Sequence, residues 1–531
     1  MFVDARSLEA NSEVTCDICI VGAGAAGITI AKELNGKPIR VCLVESGDLD
    51  FEQDTQDLYD GTNSGDRYPY VGINRLRYFG GTTNHWEGAC VALDEIDFEH
   101  RPWVEHSGWP FNKRHLDPYY ARAHKYLELV EYNYDVDYWV KKSGLRRFPI
   151  KTDVAHMAIS QSSPPTRFGE RYRTDLRQSG NITVLLNANV IDVEAAATGA
   201  SITGLRVQVL QGAAHRVRAR LYVLALGGIE NPRLLLASNG VHERGLGNQN
   251  DLVGRYYMDH PVAKASIYYP SRSPADLARF LGPRRAPNGV VGSHIDLPAA
   301  TLRERQLTNA RAPFVEVNRY YASEGIESFH ALTWALKRGE VPDDLWRHIG
   351  NVATDIDMVA EAVSRKWFDH YLFDSAEDGG IYVFDSMMEQ TPSPDNRITL
   401  GRDRDALGMP KVNVDWRVTA RDRENFWRVH EIIAREVGRA GLGRVRLLRD
   451  QGERIWDELL NFGHHHMGAT RAHRNPARGV VDADLRVHGL ANLYVAGSSV
   501  FPTGGHIQPT LTIVALAIRL ADGLPDSLAR L

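Results

Sequence analysis

Short apolar runs bounded by glycine alternate with stretches of helical spacing at both ends of the chain. From Cys16, CDICIVGAGAAGITIAKEL reads as a buried strand, a glycine turn and a helix. VCLVESG (41–47) reads as a second buried strand that ends in an acid. Strand, helix and strand in this order begin a parallel sheet. More strands are predicted in ITVLLNANVIDVEA (182–195) and LRVQVL (205–210), and LYVLALGGIENPRLLLAS (221–238) repeats strand, glycines and helix. Residues 271–312 are rich in Pro, Arg and Ala with weak periodicity, which predicts an irregular excursion or lid. Helical spacing returns over 343–368, two strands joined by a turn are predicted over 398–418, and an amphipathic helix over 420–441. The end returns to the first texture, with a strand in 492–499 and a closing helix over 509–524.

A chain of 531 residues exceeds what one core organises, so two or three packed regions are expected. The return of the first texture predicts a discontinuous first domain. A net charge of -5 gives no electrostatic reason to expect nucleic acid or an anionic membrane as partner. Four cysteines are too few for a disulfide framework at this length, and Cys16, Cys19 and Cys42 read as core thiols. The first residues carry no secretory pattern, and the apolar run 511–518 is cut short by Arg519. The chain reads as soluble and cytoplasmic.

Gly22, Gly24 and Gly27, with Ala25 and Ala26 between them, form G-x-G-x-x-G on a strand-to-helix turn. The first glycine permits the turn, the second lets backbone approach a pyrophosphate, and the third lets helix and strand pack closely. The free N–H groups of the helix start face the phosphates. Glu45, with Ser46 behind it, ends the second strand 23 positions after Gly22. A carboxylate there accepts from ribose hydroxyls and repels a 2′-phosphate, which disfavours NADP. These residues do not separate FAD from NAD.

The C-terminal run GHHHMGATRAHRNPARGVVDADLRVHGLANLYVAGSSVFPTGGHIQPTLTIVALAIRLAD (463–522) resembles the signature of the glucose–methanol–choline oxidoreductases. GGTTNHW (80–86), ALGGIENPRLLL (225–236) and GRYYMDHP (254–261) also resemble that family, in its order along the chain. The similarity is closest to the bacterial sugar- and polyol-oxidising members and pyranose 2-oxidase. It implies an α/β fold with a discontinuous Rossmann-type FAD-binding domain (12–110, 180–262 and 460–531). It also implies an α+β substrate-binding domain with an antiparallel sheet (111–179 and 263–459). FAD is the implied cofactor and hydride transfer from an alcohol the implied reaction. The implied partners are a small-molecule alcohol or sugar and either oxygen or an external electron acceptor. A lyase on the same fold and an NAD-dependent dehydrogenase are the alternatives.

The resemblance also implies the site residues. Oxidation of an alcohol needs a base for the hydroxyl proton, and histidine suits neutral pH. Counting back from Gly468 puts His465 in the family's H-x-x-G register, with His464 and His466 read as packing or hydrogen-bonding residues. The second position, where the family has N-P-T-L-T, is Gln508 here, followed by Pro509 and Thr510. Its amide both donates and accepts. His506, two residues earlier, is the rival for that role. Pro509 fits a helix start, whose dipole would face the flavin. Gly80, Gly81, Thr82, Asn84, His85 and Trp86 are implied at the flavin, His85 with two readings, covalent attachment or packing. Val190 is implied at the adenine, Gly497 and Ser498 at the cofactor. Glu230, Asn231 and His260 are read as capping and turn residues. The three adjacent histidines have no carboxylates at ligand spacing, so no metal is expected.

Overall fold

The apolar runs pair as parallel strands. The computed structural model describes the chain apart from residues 67–70, 73, 151–152, 272–283, 287–288, 318–322, 339–340, 343, 369–380, 385, 453–454 and 457–459. Among the described residues, one six-stranded sheet has the spatial order Phe2–Asp4, Ile182–Leu186, Val41–Val44, Ile18–Val21, Leu221–Leu224, Leu493–Val495, every neighbour parallel. Ile18–Val21, Val41–Val44 and Leu221–Leu224 are buried at every position, as strands covered on both faces must be. The helix Ala25–Glu33 packs on the closing helix, Thr510–Ala529. Cys16, Cys19, Cys42 and Cys90 are free thiols and buried.

Two boundaries differ from expectation. The parallel sheet begins at Phe2, ahead of residue 12, because three residues at a sheet edge are too few to show a period. The helix Lys113–Tyr126, in a segment assigned to the substrate side, packs on the closing helix. Tyr120 Oη and Thr512 Oγ1 meet there at 2.9 Å.

A second sheet is antiparallel and runs through Leu460–Phe462, Pro261–Ala263, Ser386–Met388, Ala310–Ala312, Gly289–Asp296, His156–Ser162 and Ala89–Cys90. The expected irregular excursion over 271–312 is corrected here: it contains the strand Gly289–Asp296, the helix Ala299–Arg305 and the strand Ala310–Ala312. The alternation was hidden because Ser293, His294 and Asp296 are polar yet buried. Part of that stretch, 272–283, lies outside the described residues. The helical stretch 343–368 divides into Leu345–Thr354 and Ile356–Phe368. The paired strands Arg397–Arg404 and Pro410–Asp415 appear as expected, as does the helix Ala420–Arg439. Thr419 and Asp422 cap that helix reciprocally. Among the described residues no helix is long and apolar enough to cross a membrane.

The loop before GGTTNHW is fixed to the parallel sheet by buried charge. Glu230, on the helix Gly227–Ala237, lies 2.7 Å from Arg75, 3.1 Å from Arg233 and 3.6 Å from Arg77. Burial raises its pKa, but Arg233, Arg75 and Arg77 outweigh it and bring the carboxyl down to about 2. Glu230 is therefore the centre of an ion cluster and not a cap. Asn231 keeps a turn role: its Oδ1 accepts from Leu226 N–H at 2.9 Å and its Nδ2 donates to the Ala496 carbonyl at 3.0 Å. Removing one member of a buried charge cluster leaves the others uncompensated, which costs about 3–5 kcal/mol. Glu230→Ala is expected to lower the thermal unfolding midpoint markedly, while an exposed control such as Glu424→Ala leaves it unchanged.

Candidate active site

Close backbone approach builds the dinucleotide turn. A Cβ on Gly27 would stand 1.9 Å from the Gly22 carbonyl oxygen, so only glycine lets the helix meet the strand there. Over Gly24 the protein leaves open space, with no heavy atom within 4 Å of where a Cβ would be. The loop after Phe79 leans over the same turn. Gly80 N–H donates to the Ala23 carbonyl at 2.9 Å, and a Cβ on Gly81 would lie 3.1 Å from Gly24 Cα. Ala25 and Ala26 open the helix, with first-turn N–H groups that have no partner inside it.

Glu45 does more than end a strand. Its Oε2 accepts from Ala23 N–H at 2.8 Å, and its Oε1 accepts from Gly47 N–H at 3.0 Å and Ser46 Oγ at 3.1 Å. The carboxylate thus binds the two strand-end turns together. Beside it runs a narrow slot walled by Val21, Val44, Ser46, Arg77, Ala188 and Val190. First-turn N–H groups with no partner inside the helix, open space over Gly24, a carboxylate at the second strand and the slot beside it together fit a bound dinucleotide.

The remaining cofactor candidates surround this turn. Asn84 Nδ2 donates to the Phe79 carbonyl at 3.0 Å, and Trp86 Nε1 donates to the Thr166 carbonyl at 3.0 Å. Thr82 and His85 are exposed. Partial burial, then Arg167 and His464, lower the His85 pKa. Gly497 has φ of 105°, and Ser498 Oγ donates to the His466 carbonyl at 2.6 Å. Pro509 immediately precedes the closing helix, which Thr510 opens.

The histidine run sorts by burial and by pairing. His464 is exposed, with φ of 57°. That kink lets the next residues run antiparallel to the strand around Met258, where Met258 N–H donates to the Met467 carbonyl at 3.0 Å and Met467 N–H returns the bond at 2.9 Å. His466 is buried against Gly228, at the start of the second glycine–helix turn. His465 meets His260, Nδ1 to Nδ1, at 2.8 Å. Asp259 Oδ1 accepts from the backbone N–H of both, at 2.7 and 2.8 Å.

This chain of contacts fixes the tautomers. His260 Nε2 lies 2.9 Å from the Gly505 carbonyl, which only accepts, so Nε2 carries the proton. Burial brings the His260 pKa down to about 4, so the ring is neutral and its Nδ1 is bare. His465 Nδ1 must then donate to it. Burial, with His260 and Arg311 adding to it, holds His465 well below its ordinary value, so that ring is neutral too. Its Nε2 is left with a free lone pair. His260, read from the sequence as a turn residue, is thereby the group that orients His465. Its position in MDHP marked it as a residue of interest, but the pairing spans 205 positions and has no local signal.

His506 does not reach His465. Its Nε2 is 3.2 Å from Asp296 Oδ2, and His294 Nε2 stands at the same distance from that oxygen. Burial opposes charge on His506, but the Asp296 carboxylate overrides it and raises the pKa to about 9. Gln508 has a buried Oε1 without a protein partner.

Fold and site together define an FAD-dependent oxidoreductase. Residues 17–242 match the family model described as FAD dependent oxidoreductase, and residues 392–517 match that described as GMC oxidoreductase. The C-terminal part of the chain thus carries a GMC oxidoreductase domain, and the chain resembles that family. It is 26% identical to 6'''-hydroxyparomomycin C oxidase of Streptomyces lividus, over 97% of this chain and 92% of the relative. It is 23% identical to the fructose dehydrogenase large subunit of Gluconobacter japonicus, over 98% and 99%. It is 26% identical to 2-methyl-1,2-propanediol dehydrogenase of Mycolicibacterium austroafricanum, over 95% and 94%. Among solved structures, pyridoxine 4-oxidase from Mesorbium loti shares the fold, with a TM-score of 0.57, 19% identity and coverage of 96% and 99%. These three relatives, matched along nearly their whole length, are named as an oxidase and dehydrogenases, which disfavours the lyase alternative.

The second and third glycines of the turn separate folding from cofactor binding. Gly24→Val is expected to leave a folded, soluble protein that has lost FAD absorbance, because the added side chain fills only the open space. Gly27→Ala is expected to lower thermal stability even with excess FAD, because its Cβ collides with backbone. Flavin content by absorbance and unfolding midpoints, measured on both variants, check this.

Proposed function

We propose that the enzyme oxidises a hydroxyl group of a sugar, glycoside or polyol, with His465 as the base that takes the hydroxyl proton. The observation that carries this reading is the tautomer chain from the Gly505 carbonyl through His260, which leaves the lone pair of His465 Nε2 free. The names of full-length relatives support the substrate class, since they act on an aminoglycoside, a ketose and a diol by name. In this reading Gly22, Gly24, Gly27, Glu45, Ser46 and Val190 hold the adenosine and pyrophosphate, and the 80–86 loop, Gly497, Ser498, Pro509 and Thr510 hold the flavin. Bound FAD supplies the two-electron oxidant.

The substrate hydroxyl donates to His465 Nε2, and proton transfer leaves the ring as an imidazolium. His260 Nδ1 then accepts from the His465 Nδ1–H of that cation, which localises the charge away from the substrate. Gln508 is the second substrate ligand: its unpartnered amide oxygen is a buried acceptor of the kind a substrate hydroxyl satisfies. The ring of His506 is engaged by Asp296, which weighs against it in that role.

His465→Ala is expected to retain FAD and to lose about 10²–10⁴-fold in the rate of substrate-dependent flavin reduction, the range for a missing general base. His464→Ala changes that rate little. Gln508→Asn keeps partial activity, and Gln508→Leu loses about 1–3 kcal/mol of substrate binding because the acceptor is gone. Near-normal activity in Gln508→Leu would reject the assignment of Gln508. Sugars, glycosides and polyols assayed with oxygen and with a dye acceptor identify both the substrate and the electron acceptor.

The pH dependence follows from the depressed histidine. The base works only when unprotonated, and its pKa lies well below the ordinary 6.5. kcat/KM is therefore expected to be flat from about pH 6.5 to 8 and to fall only on the more acidic side, as His465 takes up a proton. A rise centred at or above pH 7, in a profile corrected for enzyme stability, would contradict a neutral His465.

A further inference from the structure

His294 and Asp296 stand two apart on the strand Gly289–Asp296, so their side chains share one face, and His506 closes on them from the loop before Gln508. All three are buried, and one donor atom of each lies within 4.8 Å of the other two. We propose that His294, Asp296 and His506 form a site for a divalent transition-metal ion, with zinc the ion that two imidazoles and one carboxylate suit best. This proposal does not depend on the redox reading of His465.

The distances favour an ion over a hydrogen-bonded triad. A charge-assisted N–H to carboxylate bond is about 2.7–2.9 Å long. Both imidazole Nε2 atoms instead stand 3.2 Å from Asp296 Oδ2. On a tetrahedral zinc with bonds of about 2.0–2.1 Å, neighbouring donor atoms are about 3.3–3.4 Å apart. The pairing is also lopsided. The two rings converge on one oxygen while Asp296 Oδ1, equally buried, has no protein partner. A carboxylate that ligates an ion through one oxygen leaves the other without a protein partner, as here.

Burial decides the size of the occupant. His294, Asp296 and His506 are 2%, 5% and 1% exposed, which suits a single ion better than the ammonium group of a larger molecule. Asp94 and Asp97 bring carboxylate oxygens within 4.8 Å of a His506 ring nitrogen, so negative charge surrounds the site. Three protein ligands leave a fourth position for water. Such an ion would pin the Gly504–Gln508 loop, which carries both the Gly505 carbonyl and Gln508, onto the antiparallel sheet. Sequence alone gave no sign of it, because its ligands are 212 positions apart at the extremes (506 minus 294) and two of them lie where periodicity was weakest.

The experiment is elemental analysis of the FAD-loaded enzyme purified without chelator, before and after dialysis against a chelator and reloading with zinc chloride alone. About one zinc per chain is expected after reloading, with a higher unfolding midpoint than the chelated enzyme. His294→Ala and Asp296→Asn are expected to keep FAD absorbance and to bind less than about a tenth of that zinc. Less than about a tenth of an equivalent in the unmodified, reloaded enzyme overturns the proposal, as does full zinc content in both variants. If a variant does not fold, the unmodified enzyme alone decides the matter.

Discussion

The hydrogen bond from His260 Nε2–H to the Gly505 carbonyl holds the His260–His465 pair in one protonation state. It fixes which nitrogen of His260 is bare, and through that which nitrogen of His465 is bare. The bond exists because the loop after Thr503 comes close enough to the antiparallel sheet. Gly505 has φ of 59°, and a Cβ there would stand 2.5 Å from Leu93 and 2.8 Å from Asp97 Oδ2. A side chain would push the carbonyl away from His260. Burial completes the arrangement, since both imidazoles lie where charge is disfavoured.

Two sheets meet at this point with different duties. The parallel sheet presents the ends of its strands, where Glu45 ties the Gly22–Gly27 turn to the next strand end. The antiparallel sheet presents its buried polar residues: His260 follows Asp259 into one strand, and His294 and Asp296 lie on another. Asp259 connects the duties by accepting from His260 and His465 together. The Arg75–Glu230–Arg233 cluster has a supporting part, since it anchors the loop leading to Gly80 and Gly81, and those glycines close on Gly24.

What could be read from the sequence follows from range. The turn at Gly22, Gly24 and Gly27 and the strand ending at Glu45 were legible because a strand–turn–helix unit is local. His465 was legible only through the family register, which separates it from two equal neighbours, and the structure then distinguishes the three by exposure and partner. His260 and Glu230 were misread as turn and cap residues, because their roles arise from partners 205 and 155 positions away. Gly289–Asp296 was hidden for another reason: a strand that buries polar residues breaks the alternation on which strand recognition rests. Phe2–Asp4 was missed because an edge strand of three residues has no period to detect.

His465 is, on this geometry, a neutral imidazole with its proton on Nδ1 and a free lone pair on Nε2. Neutron diffraction from a deuterated crystal of the FAD-loaded enzyme near pH 7 tests this most directly. Deuterium is expected on His260 Nε2 and on His465 Nδ1, with none on His465 Nε2. Deuterium on His465 Nε2, in either a neutral or a charged ring, would contradict it.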